Sequence, residues 1–281
     1  MSLLLRGRLV CWWTILRIAL EERLVYRGDF ALGTLMRFLP IVTQIFLWWA
    51  VFDTIGQGDR DQGRIAGYSF YDMVAYYLLS MVSRAFSSMP GLASGIALQI
   101  RNGEIKKYLI QPIDLIGFLF LTRVAHKTAY YSVAILPFAF VFYLCRGFFT
   151  RGWPDPEVLA YYLATLLMGF LLGFFLEVAI GLIGFWFLEV SALLFVYMLL
   201  SFFLSGHMFP LDMLPEPWRG MVDLLPFKYL AFFPATVFLE KIPRDEMVRG
   251  LWIEAGWVVF FLVLSRVLYR RGVRRYSGFG G

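Results

Sequence analysis

The chain has 281 residues, 60% of them hydrophobic, 19% aromatic and only 16% charged, with a net charge of +6. That balance excludes a water-soluble globular domain and predicts an all-α, polytopic membrane protein. The positive excess lies in segments flanking apolar runs, so anionic headgroups and a cytoplasmic partner account for it better than nucleic acid does.

Residues 3–27 read as a helix that lies on the membrane. Leu5, Leu9, Trp12, Trp13, Leu16, Leu20 and Leu24 recur at helical spacing on one face, with Arg17, Glu21 and Glu22 elsewhere on the wheel. A cytoplasmic helix packed on a partner gives the same pattern. No compact apolar core followed by a small-residue cleavage site is seen here, so no cleavable signal peptide is expected.

An α-helix rising ~1.5 Å per residue needs roughly 20 residues to cross a ~30 Å hydrocarbon core. Runs near that length fall at 30–52, 71–94, 118–144, 157–180, 185–206 and 252–269. Arg6, Arg8, Arg17, Arg23 and Arg27 precede the first run, and Arg270, Arg271, Arg274 and Arg275 follow the last. The loop after the first run carries Arg60 and Arg64 against Asp53, Asp59, Asp61 and Asp72. Cytoplasmic loops retain positive charge, so both termini, including the 270–281 tail, are expected inside a cell membrane crossed six times. Cys11 and Cys145 then fall on opposite sides, and no disulfide joins them.

Met89-Pro90-Gly91 interrupts the second run and predicts a kinked or segmented helix. The basic loop that follows, 101–115, reads as a short amphipathic helix with Ile105, Tyr108 and Leu109 on one side. Gly181 and Gly184 supply the bend between the fourth and fifth runs, with Glu177 and Glu189 expected near the cytoplasmic surface. The outward-placed 207–249 segment is rich in Phe, Leu and Pro, which suits re-entrant or interfacial helices better than open loop.

Three stretches, taken in order, resemble the permease subunits of type-2 ATP-binding-cassette exporters, in the six-span branch without a fused ATPase. They are GYSFYDMVAYYLL (67–79) leading into IRNGEIKKYLIQP (100–112), FWFLE (185–189), and FFLSGHMFPLDMLP (202–215) followed by LLPFKYLAFFPA (224–235). The resemblance implies one permease domain over residues 1–281, with 3–27 as the interfacial elbow helix. Arg101, Asn102, Gly103, Glu104, Ile105, Lys106, Lys107 and Tyr108 would form the coupling helix on a separate nucleotide-binding subunit. ATP and Mg would sit on that subunit, and a second permease chain would complete the pathway. Segment 207–249 would supply the outer closure. Independently, none of the five lysines follows a glycine, so no Walker pattern exists in these residues.

Ionisable groups inside membrane spans are functional candidates. Arg84, Arg123, His126 and Lys127 are read as a pathway or vestibule for anionic substrate or lipid headgroups. Snorkelling of Arg37, Arg123 and Lys127 to the inner interface is the plainer account. Glu177 and Glu189 are read as cytoplasmic-side contacts, or as the proton site of a secondary transporter. Asp59, Asp61 or these same glutamates would be the catalysts of the remaining alternative, a membrane-embedded lipid-modifying enzyme. His126 and His207 are the only histidines and no Cys cluster accompanies them, so no metal or haem is expected in this chain. Gly169 and Gly173 make a G-x-x-x-G step that serves either packing within the chain or dimerisation.

Overall fold

The computed structural model describes residues 2–25, 27–56, 63–111, 113–150, 152–187 and 189–276, leaving aside the side chains of 2–9, 25, 27–32, 34, 35 and 37. Asp59, Arg60, Asp61, Pro112 and the Arg37 side chain therefore lie outside the described residues, as does 277–281. Most of the described residues are helical, and among them there is one isolated bridge between Ile65 and Tyr68 and no strand. Chain contacts separate two units, residues 1–40 with 104–144 and residues 41–103 with 145–281.

In the first unit α1 (Ser2–Val25) packs along α6 (Leu115–Leu144). Asp114 starts α6 by accepting the Gly117 N–H at 2.8 Å, a carboxylate at the positive end of the helix dipole. Trp12 of α1 rests on the same turn, where a Cβ on Gly117 would lie 2.9 Å from its ring. The packed stripe of α1 runs through half-buried Trp12 and Leu16 to buried Ala19. Trp13 and Leu24, expected on the buried face, are 66% and 40% exposed. Apolar residues occur all around α1, so its hydrophobic pattern does not single out the stripe that packs on protein.

The second α-helix, α2, runs Arg27–Ile55 with Pro40 inside it, and the units divide at that proline. In the second unit α7 (Pro156–Leu182) is the central helix, with α11 (Arg244–Arg275) along it and α3 (Phe70–Ser87), α4 (Leu92–Arg101) and α10 (Phe232–Phe238) packed against it. Fourteen α3 residues are buried, including Tyr76, Tyr77, Ser80 and Ser83. Ser80 and Ser83 return their hydroxyls to the carbonyls of Tyr77 and Leu79, so those polar groups are satisfied. The chain breaks between α3 and α4 at Ser88–Gly91, where the Met-Pro-Gly signal falls. The remaining helices are the single turn α5 (Lys106–Leu109), α8 (Ser191–Leu204) and α9 (Trp218–Asp223).

Among the described residues four helices are long and apolar enough to cross a membrane: Phe38–Ile55, Leu115–Leu144, Pro156–Phe185 and Arg244–Arg275. The expected second and fifth runs differ. The α3 segment is diluted by polar residues that are buried within the protein. The 185–206 run yields only the 14-residue α8, about 21 Å long, because a 3₁₀ turn at Ile183–Phe185 and the segment carrying Glu189 precede it. The last helix exceeds its apolar run at both ends, with Asp245 and Glu246 in its first turn and Arg274 and Arg275 in its last, the arrangement its dipole favours.

Candidate functional site

Parts of the quoted motifs at 67–79 and 202–215 meet at the start of α3. Residues Ile65–Tyr68 form a tight turn with Ala66 and Gly67 at positive φ, closed by reciprocal backbone hydrogen bonds between Ile65 and Tyr68. Ser69 then caps α3 through a box with Asp72: the Ser69 hydroxyl accepts from Asp72 N, and Asp72 Oδ2 accepts from Ser69 N. The same Oδ2 receives Lys241 Nζ at 2.7 Å, and both side chains are nearly buried, at 12% and 11% exposure. Lys241 also donates to the Gly67 carbonyl at 3.1 Å and lies 4.9 Å over the Tyr68 ring. Tyr68 in turn donates to Asp212 at 3.0 Å, and Asp212 pairs with Arg219 at 2.7 Å. Burial, reinforced by Asp212, pushes the Tyr68 phenol above its ordinary range, so it stays a donor at neutral pH. A cavity of about 580 Å³ opens beside Tyr68, Asp212, Arg219 and Lys241.

One turn along, Tyr76 and Tyr77 donate to the carbonyls of Gly206 and Met208, the latter at 2.5 Å. Trp48 Nε1 donates to the Tyr77 hydroxyl at 3.0 Å. Gly206 sits at φ +78°, and a Cβ there would meet Phe232 Cβ at 2.6 Å and Tyr76 Oη at 2.8 Å. The stretch after α8 is thus clamped to α3 by two phenols, an ion pair and a close backbone approach. It is built from 3₁₀ turns at Leu211–Met213 and Pro226–Leu230 together with α9 and α10, and Tyr229 to Leu239 are buried.

The chemistry of this site is positional: four hydroxyl and ammonium donors hold one segment to one helix end. The decisive observation on identity comes from comparison with known families. A family model described as ABC-2 family transporter protein matches residues 38–280. The chain belongs to the ABC-2 transporter family. A comparison with curated proteins finds no match. The permease is thus a membrane transport subunit rather than an enzyme, and its apolar helices suit the bilayer.

The permease's sequence-derived candidates lie in separate places. Arg84 stands in the last turn of α3, 5.6 Å over the Phe202 ring, and remains exposed. His207 packs edge-on to the same ring at 5.3 Å, its buried Nδ1 without a hydrogen-bond partner among the described residues. Burial, with Arg84 adding to it, pushes His207 down to about 4, so its ring is neutral at pH 7. A depressed histidine contributes stability above its unfolded value near 6.5, and that contribution is lost as pH falls toward about 4. Acidification over that window should therefore lower the permease's resistance to unfolding, and His207→Gln should flatten the slope. A slope unchanged by the substitution removes this account of His207.

Arg123, His126 and Lys127 share one face of α6 in the first unit, with Lys127 buried and the other two half-buried. Glu177 and Glu189 do not meet. Glu177 Oε2 accepts the Ala93 N–H in the first turn of α4 at 3.4 Å, where Gly91 offers no side-chain cap. Glu189 pairs with Arg101 at the other end of α4 at 2.7 Å and also accepts from Ser191 N at 3.0 Å. Eight residues of helix set these two partners about 12 Å apart along the axis, so the carboxylates form no paired site.

The loop after α4 is folded more tightly than an amphipathic helix requires. Asn102 caps α4, and Gly103 follows at φ +74°. Ile105 is 1% exposed while Leu109 and Ile110 are 37% and 83% exposed, so the expected apolar face is split. The reason is that α5 makes only one turn, and Tyr108 is drawn onto Phe118 at 5.3 Å. Glu104, Lys106 and Lys107 remain exposed, with Lys107 3.7 Å from Glu104.

Sequence reading did not find the Asp72–Lys241–Tyr68–Asp212–Arg219 network or Glu254. The first had a faint signal, Tyr68, Asp72 and Asp212 inside quoted motifs with Arg219 and Lys241 a few residues beyond them. The second had a sharper one, a lone acid in the apolar run WIEAGWVVFFLVL.

Proposed function

We propose that this permease is the transmembrane subunit of an ATP-driven exporter, moving an amphipathic or lipid-like substrate outward by alternating access between two permease chains. Six crossings of a cell membrane, with both termini cytoplasmic, follow from the distribution of Lys and Arg. The 207–249 segment is then the outer closure, formed by re-entrant or interfacial helices. The observation that carries the reading is the clamp of that segment on the start of α3, within a chain whose family is that of ABC-2 transporters.

In this reading the motor is a nucleotide-binding subunit carrying ATP and Mg, the partner that the resemblance to ABC-2 exporters implies; the 281 residues themselves contain no Walker lysine. Arg101 to Tyr108 forms the coupling element. Glu104, Lys106, Lys107, Leu109 and Ile110 offer the charged rim and apolar tip that a soluble partner's groove would receive. The Arg101–Glu189 pair ties α4 to the start of α8, so a push on the loop is passed to a second helix. Both partners are more than half exposed, so the pair adds little stability and serves alignment instead.

The test begins with purification of the tagged permease from native membranes in mild detergent. A Walker-containing ATPase should co-purify in fixed ratio and be lost when Glu104, Lys106 and Lys107 are replaced together by Ala. Permease that purifies alone at every salt concentration counts against the motor. In the reconstituted pair, Glu189→Arg should uncouple ATP hydrolysis from transport several-fold, and Arg101→Glu in the same chain should restore part of it. Equal transport in the unaltered permease and both variants would discard the alignment role.

A further inference from the structure

Glu254 lies on α11, two residues inside the expected start of the last apolar run, with no exposed surface. Neither carboxyl oxygen has a hydrogen-bond partner among the described residues. Its surroundings come from three other elements. A Cβ placed on Gly169 of α7 would meet Glu254 Oε1 at 3.8 Å, the Tyr229 carbonyl at 3.3 Å and Ser87 Cβ of α3 at 4.0 Å. Tyr229 is the titratable group among these, with Asp223 and Arg249 acting on it from further out. Burial holds the Tyr229 phenol above its ordinary range, so it offers no counter-charge.

An ionised carboxylate enclosed in apolar surroundings, with neither cation nor donor, is costly by many kcal/mol. The neutral acid is the form that fits. The position matters as much as the burial. The carboxyl sits where α3 ends, where Ser87 donates to the Leu230 carbonyl at 2.9 Å, and beneath the 3₁₀ turn of the clamped segment. Displacing that segment would bring water to the acid.

We propose that Glu254 is a proton-binding site, holding a proton while the 207–249 segment is closed and releasing it to water when the segment opens. This rests on the reading of that segment as the outer closure.

Hydrophobic and water-soluble carbodiimides distinguish the two states. With the hydrophobic reagent dicyclohexylcarbodiimide, the acid proton passes to a carbodiimide nitrogen and the carboxyl oxygen adds to the central carbon. Migration of the acyl group to nitrogen leaves a stable N-acylurea that mass spectrometry locates. In purified permease at neutral pH, Glu254 should be labelled by this reagent. The water-soluble carbodiimide with an amine nucleophile should spare Glu254 and label exposed Glu246. Lys241→Met, which loosens the clamp, should raise soluble-reagent labelling of Glu254 at least several-fold. If that variant does not fold, the Lys241→Met/Asp72→Asn pair takes its place. Glu254→Gln fixes the assignment and should leave unfolding nearly unchanged.

Absence of hydrophobic labelling overturns the proposal. So does protection by sodium at fixed pH, which would make the site one for an alkali cation, and so does equal soluble labelling in clamped and loosened chains. The experiment needs neither ATP nor a partner, so its failure leaves the exporter reading standing.

Discussion

Replacing Lys241 by Met should cost the permease about 3 kcal/mol of stability, the low end of the ~3–5 kcal/mol typical of breaking a buried pair from one side. The loss arises on the acid left behind. Asp72 is 12% exposed and is left with its Ser69 contacts and no cation paired to it among the described residues, so its charge is largely uncompensated at the start of α3. Lys241 also holds the Gly67 carbonyl and covers the Tyr68 ring, so the turn preceding α3 loosens with it. Asp72→Asn in the same chain should recover at least ~1 kcal/mol, the coupling expected of residues in direct contact. Unfolding of the four forms in mixed detergent micelles, followed by tryptophan fluorescence, completes the cycle. Additive losses in the double variant would mean that the two groups stabilise the fold separately. In transport assays the single variant should leak, because the outer segment is no longer pinned.

Much of this arrangement was legible in the chain, and the reason for the rest is specific. Long apolar helices announce themselves by length, and α6 and α7 lie within three residues of their expected bounds. The break after α3 was marked by Met-Pro-Gly because proline cannot continue the hydrogen-bond ladder. The burial of α3 was not legible, since Tyr76 and Tyr77 look like interfacial residues until their acceptors, 130 and 131 residues away, are known. Asp72 and Lys241 stand 169 residues apart, a pairing that no local pattern encodes. The bounds of the helix within 185–206 were not legible, because hydropathy continues through the non-helical backbone before Ser191. Arg84 was legible as unusual for a membrane helix, yet its partner ring, Phe202, lies on another element. Glu177 and Glu189 looked like a pair because they are close in sequence, whereas the fold assigns them to opposite ends of α4.

The two glycines of α7 should respond very differently to the same added methyl. A Cβ on Gly173 would lie 2.0 Å from the Ser87 carbonyl oxygen and 3.0 Å from its carbon, both backbone atoms. Neither helix can yield by a rotamer change, so Gly173→Ala should cost about 3 kcal/mol or more, the upper end of overpacking. On Gly169 the nearest atom is the Tyr229 carbonyl at 3.3 Å, which a shift of a few tenths of an ångström relieves. Alanine also gains ~1 kcal/mol over glycine in a helix, so Gly169→Ala should be nearly neutral. The contrast separates the two readings of the G-x-x-x-G step. Packing within one chain predicts that Gly173→Ala weakens the isolated monomer in detergent, by lowering the denaturant midpoint at a dilution where no dimer persists. Dimerisation through this face predicts a monomer of unchanged stability and a weakened dimer. Since the contacting atom belongs to the residue that ends α3, the first outcome would also show that α7 fixes where the segmented helix breaks.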